Sequence, residues 1–503
     1  RAEIAQCLDE DGVRKPFARF AAADDDALVP EGCFEARLVA PGHASTGWMK
    51  PDALVTASLP RAGTLDVAVT EAGAPIPARV QVRGLGGTPD PSWGDAPDAG
   101  AALNAVHTER GRVERPVPAG RYRVIVDRGF EYTIHEEIVE VEAGARASVT
   151  ATLTRAVDTK GWISADLHLH AAPSPDAPQS LVERVRALAA AGVEVGVATD
   201  HNRVTDYAPA IREIGLERHV ASVVGDEVTT EEMAFGHFNV FPLAAGSSPI
   251  RYEATNPTEL FREARSRGPL FSSNVIQVNH PRMGDIGYFD VIRFHRDDVD
   301  VFMKRRPGWF AFDAVELYNG DDTPDIPQVE ANMLDWYALL DAGYRVAATG
   351  NSDSHKLTFH EPGLPRNYVA MPRDDPGAFD ERAFIAAIRA GRVVVSGGPF
   401  VTLAVAGAGP GGEIAPGTAD VAIAADGPSW MDISSVELVV RGKVVARATA
   451  PFELGPHRAE LRTSIPLATG DWVIAIARGD GAMSPMFRRG VVPFAFTNPV
   501  MVR

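Results

Sequence analysis

Histidine and carboxylate residues gather in short motifs at the ends of apolar runs. In Ser164-Ala-Asp-Leu-His-Leu-His170, side chains alternating with a period of two put Asp166, His168 and His170 on one face of a strand and Leu167 and Leu169 on the other. Two imidazoles so spaced can chelate one metal ion from the same side. Asp176, in Ser174-Pro-Asp-Ala177, lies on the following loop, close enough to fold back. Similar strand ends follow: Asp200 and His201 in Val197-Ala-Thr-Asp-His-Asn202, Glu227 in Val223-Val-Gly-Asp-Glu-Val228, His237 in Gly236-His-Phe-Asn-Val240, and His280 in Val278-Asn-His-Pro281. Asp353 and His355 again share a side in Ala348-Thr-Gly-Asn-Ser-Asp-Ser-His355. Each motif alone has an ordinary structural explanation. Together they supply nine donors, too many for one tetrahedral ion, so two or three divalent cations are expected. Imidazole and carboxylate without thiolate suit Zn, Mn or Fe.

The elements that must position these residues are also legible. Nine of the 13 histidines fall between residues 161 and 360, where apolar strand-like runs alternate with amphipathic stretches. The pattern predicts strands at 162–169, 193–199, 220–224, 275–279, 314–318, 345–349 and 393–396, and helices at 180–191, 257–267, 328–342 and 380–390, three of them closed by Gly192, Gly343 and Gly391. Repeated βα units imply a parallel sheet, closed or open, and a closed barrel builds its active site at the C-terminal ends of its strands. On either side the pattern changes to short period-two runs, such as Thr64-Leu-Asp-Val-Ala-Val69, Arg121-Tyr-Arg-Val-Ile-Val126, Val436-Glu-Leu-Val-Val440 and Trp472-Val-Ile-Ala-Ile-Ala477, which read as antiparallel β-sandwiches. The resulting organisation is an irregular segment over 1–61, a β-sandwich over 62–157, the α/β region over 158–398 and a second β-sandwich over 399–503. Residues 86–105 read as a loop.

Composition bounds the function. At 503 residues, 45% hydrophobic and 23% charged, the chain holds material for several cores; roughly 150 residues per domain gives about three domains. A net charge of −18 argues against a nucleic-acid partner, and no run of about 18–20 apolar residues suggests a membrane span. Two cysteines, Cys7 and Cys33, exclude a Cys-rich zinc site and form a candidate disulfide pair. The sequence begins with Arg rather than Met, and export to a periplasmic or extracellular space is expected, with its signal segment outside the sequence given.

The ordered set Asp-Leu-His-Leu-His, Thr-Asp-His-Asn, Gly-Asp-Glu, Asn-His-Pro and Asn-Ser-Asp-Ser-His resembles the polymerase and histidinol phosphatase (PHP) superfamily over about 158–398. With Gly391-Arg-Val-Val-Val-Ser-Gly-Gly-Pro399 and the flanking β regions, it is similar to the carbaryl-hydrolase-like CehA/McbA group of metallohydrolases. The resemblance implies a distorted (βα)7 barrel with two or three metals. His168, His170 and Asp353 would hold the first, Glu227 would bridge to a second completed by His237 and His280, and Asp176, His201 and His355 would hold a third. Glu316 and Asn319, in Val315-Glu-Leu-Tyr-Asn-Gly320, are competing ligands or substrate contacts.

The chemistry expected is hydrolysis by a hydroxide bridging two cations, with no serine or cysteine nucleophile. Glu227, Asp353 and His355 are the candidate catalytic residues, Asp353 as proton shuttle. Arg203, Arg282 and Lys356 adjoin the motifs and would clamp a phosphate, which favours a small-molecule phosphoester substrate. The closer subgroup resemblance points instead to carbamate or carboxyl-ester cleavage. A rival from another class is a binding or adhesion protein built on a degenerate barrel. Trp93, Trp430 and Trp472 read as packing residues rather than carbohydrate platforms.

Overall fold

The computed structural model describes residues 2–6, 16–20, 33–38, 49–50, 61–93, 101–230, 235–254, 256–268, 274–320, 325–357, 360–450, 458–487 and 490–503. The chain forms two compact units, Arg1–Asp127 with Ile134–Thr154, and Arg128–Thr133 with Arg155–Arg503.

In the first unit the period-two runs become strands Gly63–Glu71, Ala78–Leu85, Arg112–Val117, Gly120–Asp127, His135–Val141 and Arg146–Thr152. Leu65, Val67 and Val69 are buried while their neighbours Thr64, Asp66 and Ala68 are only half-buried, the signature of a sheet with one apolar face. These strands divide between a five-stranded and a four-stranded sheet. Pairing is antiparallel except between Arg146–Thr152 and Gly63–Glu71, which run parallel. Alternation reports which face is buried, not the direction of the neighbouring strand, so the sequence expectation of wholly antiparallel sheets fails there.

The segment expected to be irregular contains strands Ala2–Gln6, Pro16–Phe20 and Phe34–Leu38 in an antiparallel three-stranded sheet. Five residues per strand are too few for alternation to stand out. The expected loop over 86–105 likewise ends in the short strand Ala101–Ala102 and the start of Ala105–Thr108. Cys33 is disulfide-bonded; Cys7 lies outside the described residues.

The second unit is mixed α/β. Helix Leu181–Ala190 starts at a capping box, with Glu183 N donating to Ser180 Oγ (3.2 Å) and Ser180 N to the Glu183 carboxylate (2.9 Å). Its Val185, Leu188 and Ala189 pack with Leu169, Ala198, Tyr207 and Ile211. Gly192 follows with φ +68°, where a side chain would be strained. Helices Pro257–Ser266, Ile326–Asp341 and Glu381–Arg389 lie within two residues of their expected bounds.

The strands around the motifs are mixed in direction rather than parallel. Trp162–Asp166, Val195–Ala198 and Ala221–Val224 pair in parallel, but Arg366–Ala370 and Val393–Gly397 add antiparallel. A five-stranded sheet orders Asp226–Thr229, His237–Phe241, Val275–Val278, Ala314–Asn319 and Ala347–Asn351, with its first three strands antiparallel. The hairpin at 226–241 turns straight back with no helix among its described residues, which reverses the chain direction where βα alternation predicts a parallel neighbour; Arg366–Ala370 and Val393–Gly397 are antiparallel although helix Glu381–Arg389 lies between them. Isolated bridges His201↔Glu227 and Leu169↔Ser354 join the ends of the two sheets.

Ile163, Ala165, Leu167, Val195, Val197, Val223, Phe241, Val275, Ala314 and Ala347, from both sheets, share one apolar cluster with Phe384, Ile385 and Ile388 of the last helix. The boundary expected near 398 falls inside a sheet, because Val393–Gly397 pairs with Phe494–Thr497 and so leads on to Trp472–Arg478, Ser435–Val440 and Lys443–Thr449. A separate three-stranded sheet holds Phe400–Val405, Gly417–Asp426 and Arg458–Leu467. Trp472 is fully buried, Trp93 and Trp430 are partly buried, and each donates its indole N–H to an oxygen of the protein. Among the described residues no helix is long and apolar enough to cross a membrane.

Candidate metal centre

Strand Trp162–Asp166 stops two residues before His168, short of the expected 162–169, so both histidines lie beyond the strand's end. Asp166 fixes that end: its carboxylate accepts from the backbone N–H groups of His168 (3.3 Å), Ser352 (3.2 Å) and Gly363 (2.7 Å). Burial pushes the Asp166 carboxyl up to about 6, against those hydrogen bonds. Beyond it Leu167 and Leu169 enter different apolar clusters, and His168 and His170 are fully buried. Three other residues at strand ends take left-handed backbone conformations that are rare outside glycine: Asn202 (φ +50°), His280 (φ +26°) and Asp353 (φ +50°). Such strain, of order 1–3 kcal/mol each, concentrates where function requires a particular side-chain direction.

The nine expected donors converge. Three overlapping groups have their ligand atoms within 4.8 Å of one another: His170, Asp176, His201 and His355; His168, His170 and Glu227; and His201, Glu227 and His237. Asp353 Oδ1 lies 3.1 Å from His168 Nε2 and 3.0 Å from His170 Nε2. Glu227 Oε1 is 3.1 Å from His168 Nε2 and 3.3 Å from His237 Nδ1, while Glu227 Oε2 is 2.6 Å from His201 Nδ1. Asp176 Oδ2 lies 3.2 Å from His201 Nε2 and 3.4 Å from His355 Nε2. His280 is more distant, with Nε2 3.9 Å from Glu227 Oε1 and its ring stacked on His168 at 5.9 Å between centroids. Donors about 2.0–2.2 Å from a shared ion stand roughly 3–3.5 Å apart in tetrahedral or octahedral arrangements. Most of these separations have that value.

Hydrogen bonding gives an independent test of fit. His168 Nε2, Glu227 Oε2 and His280 Nδ1 are buried and make no well-aligned hydrogen bond among the described residues, although His168 Nε2 and Glu227 Oε2 lie at ion-pair distance from a carboxylate and an imidazole. Uncompensated buried polar atoms are costly, and here the His168 and Glu227 atoms are turned toward the other donors. The charge states agree. Burial works against it, but Asp353, Glu316 and Glu227 hold the His168 imidazole well above its ordinary range. Against the same burial, His201 and His168 hold Glu227 well below the carboxylate range, and His168 and His170 do so for Asp353. His201 is raised to about 11 by Glu227 and Asp176, again against burial, whereas burial and His355 lower His170 to about 3. The anionic oxygens thus attract positive charge, which divalent cations would supply in place of ring protons.

The expected substrate-contact residues divide. Arg203 is exposed and donates to the Asn202 carbonyl (3.0 Å), and Lys356 is half-buried with no ion-pair partner among the described residues. Arg282 is committed elsewhere: its guanidinium donates to Asp335 (2.7 Å), Asp290 (2.9 Å) and the Phe294 carbonyl (2.8 Å), which leaves little capacity for a phosphate clamp. Glu316 and Asn319, expected as ligands or substrate contacts, are also engaged. Glu316 Oε1 is 3.1 Å from His168 Nδ1, and Asn319 Nδ2 donates to Glu316 Oε2 (2.9 Å) and Asp353 Oδ2 (3.0 Å).

A layer of buried amides was not foreseen. Asn279 Nδ2 donates to Glu227 Oε1 (2.8 Å) and Asn239 Oδ1 (2.9 Å), Gln277 Nε2 donates to Asn279 Oδ1 (3.0 Å), and Asn367 Nδ2 donates to Asn351 Oδ1 (2.8 Å). Ser174 Oγ reaches His170 Nδ1 (3.0 Å) and accepts from His201 N (2.9 Å). The available signal was an amide at alternate positions of an otherwise apolar strand, as in Val275-Ile-Gln-Val-Asn279.

Comparison with protein-family models and with curated proteins yields no match. Among solved structures, a minor pilin of Streptococcus agalactiae, GBS52, aligns at 13% identity over 29% of this chain and 65% of its own, with a TM-score of 0.16. An engineered protein aligns at 13% identity over 64% of this chain and 80% of its own, also with a TM-score of 0.16.

Proposed function

We propose that this chain is a metal-dependent hydrolase of the PHP type, related to the carbaryl-hydrolase-like group, that cleaves a small-molecule phosphoester. The observation that carries the reading is the position of Glu227 in two of the three donor groups, with His168 Nε2 and its own Oε2 buried without a well-aligned hydrogen bond. The bridges that join the two sheets at His201↔Glu227 and Leu169↔Ser354 support the distorted barrel that belongs to this reading.

Two or three divalent ions, Zn, Mn or Fe, would be held by His168, His170, Asp176, His201, Glu227, His237, His280, Asp353 and His355. When bound, adjacent ions bring the pKa of water toward neutrality and polarise the oxygen under attack. The protein's own contribution is placement. Glu227, fixed by the Asn279 amide, presents one carboxylate to two groups of donors. Asp353, with Oδ2 held by Asn319, would take a proton from the attacking water and pass it to the leaving group. His355 Nδ1 is tied to the Asp353 carbonyl (2.8 Å), which directs its Nε2 toward Asp176. Of the three expected cations, Arg203 and Lys356 would be open to an anionic substrate. The engagement of Arg282 favours a second reading, carbamate or carboxyl-ester cleavage, which needs no phosphate clamp. Export to an oxidising compartment fits the disulfide-bonded Cys33.

Metal analysis of protein purified without chelator, followed by an Mn-supplemented panel of phosphomonoesters, diesters, triesters, aryl carbamates and aryl esters, tests the reading. Bound metal with phosphoester turnover is expected. The variant carrying both His168→Ala and His170→Ala is expected to lose metal and turnover together, and turnover persisting in that variant without metal overturns the proposal.

A further inference from the structure

We infer that Glu316 is a positioning residue that couples two metal positions, an inference that rests on the hydrolase reading above. Its carboxylate is fully buried and meets four donors. Oε1 lies 3.1 Å from His168 Nδ1 and accepts from Asn351 Nδ2 (2.7 Å); Oε2 accepts from the backbone N–H of His280 (2.9 Å) and from Asn319 Nδ2 (2.9 Å). A carboxylate has about four lone-pair sites, so none remains for an ion or a substrate.

What Glu316 controls is the direction of other ligands. A carboxylate facing His168 Nδ1 selects the ring form with hydrogen on that nitrogen, which frees Nε2 to face Glu227 Oε1 and Asp353 Oδ1, each 3.1 Å away. The second oxygen holds the backbone of His280 at its unfavourable φ of +26°, and that turn carries the His280 ring toward Glu227. Through Asn319 the same oxygen is linked to Asp353 Oδ2. His168 and Asp353 belong to one proposed metal position and His280 to the next, so one buried side chain sets the geometry of both. Glutamine cannot replace it. In either orientation its NH2 would face two donors, His168 Nδ1 and Asn351 Nδ2 or the His280 N–H and Asn319 Nδ2.

The test compares wild-type protein and Glu316→Gln by Mn titration and by electron paramagnetic resonance, where adjacent Mn ions give an exchange-coupled spectrum. The wild type is expected to bind at least two ions with that spectrum. Glu316→Gln is expected to weaken both by about 10–100-fold and to lose the coupled spectrum at Mn levels that saturate the wild type. Unchanged affinity, or loss of one ion alone, overturns the coupling while leaving the hydrolase reading intact. A wild type that binds no metal overturns both. A measurement on the wild type guards against a variant that fails to fold: in the Zn-loaded protein, nitrogen-15 spectra should show His168 protonated at Nδ1 and metal-bound at Nε2. The reverse assignment overturns the inference.

Discussion

The first unit and the α/β part of the second build their interiors on different terms. In the first, strand Gly63–Glu71 buries Leu65, Val67 and Val69 and leaves its other face partly exposed; among its buried polar side chains, Asp127 pairs with Arg79 at 3.1 Å and accepts from Gln81. In the second, strands such as Val275–Val278 and Ala347–Asn351 are buried on both faces, and beyond their apolar residues come amides and then clustered imidazole and carboxylate groups. The first interior gains from apolar burial. The second gives up some of that gain to keep charged donors dry and aimed at one another.

Several measurements would break or sharpen this contrast. The largest effect should come from the paired His168→Ala and His170→Ala substitution, with turnover reduced to background while hydrogen exchange in strand Gly63–Glu71 stays unchanged. Next, chelation should loosen the α/β strand ends selectively. A ligand present at about a thousand times its dissociation constant stabilises by about 4 kcal/mol, so exchange at 162–170 and 226–241 should accelerate on its removal and that of 63–71 should not. Equal acceleration in both would erase the distinction.

In the opposite direction, Val67→Ala removes two buried methyl groups and should destabilise the first unit by about 2 kcal/mol, read by denaturant unfolding, with metal content unaltered.

A further test concerns Glu194, away from the donors. Burial, reinforced by the charge of Glu131 and opposed by hydrogen bonds from Ser164, pushes its carboxyl up to about 7 from an ordinary 4.5. The folded protein then binds that proton more tightly than the unfolded chain, so the contribution to stability is largest in acid and declines as pH rises from about 4.5 to 7. Glu194→Gln should flatten that part of the stability profile. An unchanged slope would show that Glu194 does not produce it.

Much of the second unit could be read in advance. Helix Leu181–Ala190 follows from its capping box, apolar stripe and terminal glycine, all local features within about a dozen residues. The donor residues were equally visible, because His168, Glu227, His280 and Asp353 all stand where apolar runs stop. Harder to see were the antiparallel neighbours Arg366–Ala370 and His237–Phe241, since strand direction depends on how the chain returns rather than on its alternation. The roles of Arg282 and Glu316 were hidden for a similar reason: a charged residue beside a motif looks available until its partners, Asp335 for one and His168 for the other, arrive from distant sequence.

By itself the sequence determined which residues can donate to a cation and which local elements carry them, because side-chain chemistry, helix caps and hydrophobic period are properties of neighbouring residues. Only the tertiary structure decided which donors share a space, which cations are already neutralised and which carboxylate is already engaged by four donors. Those outcomes depend on distances between residues 50 to nearly 190 positions apart, as in His170 with Asp353 or Asn279 with Glu227, and packing alone sets such distances.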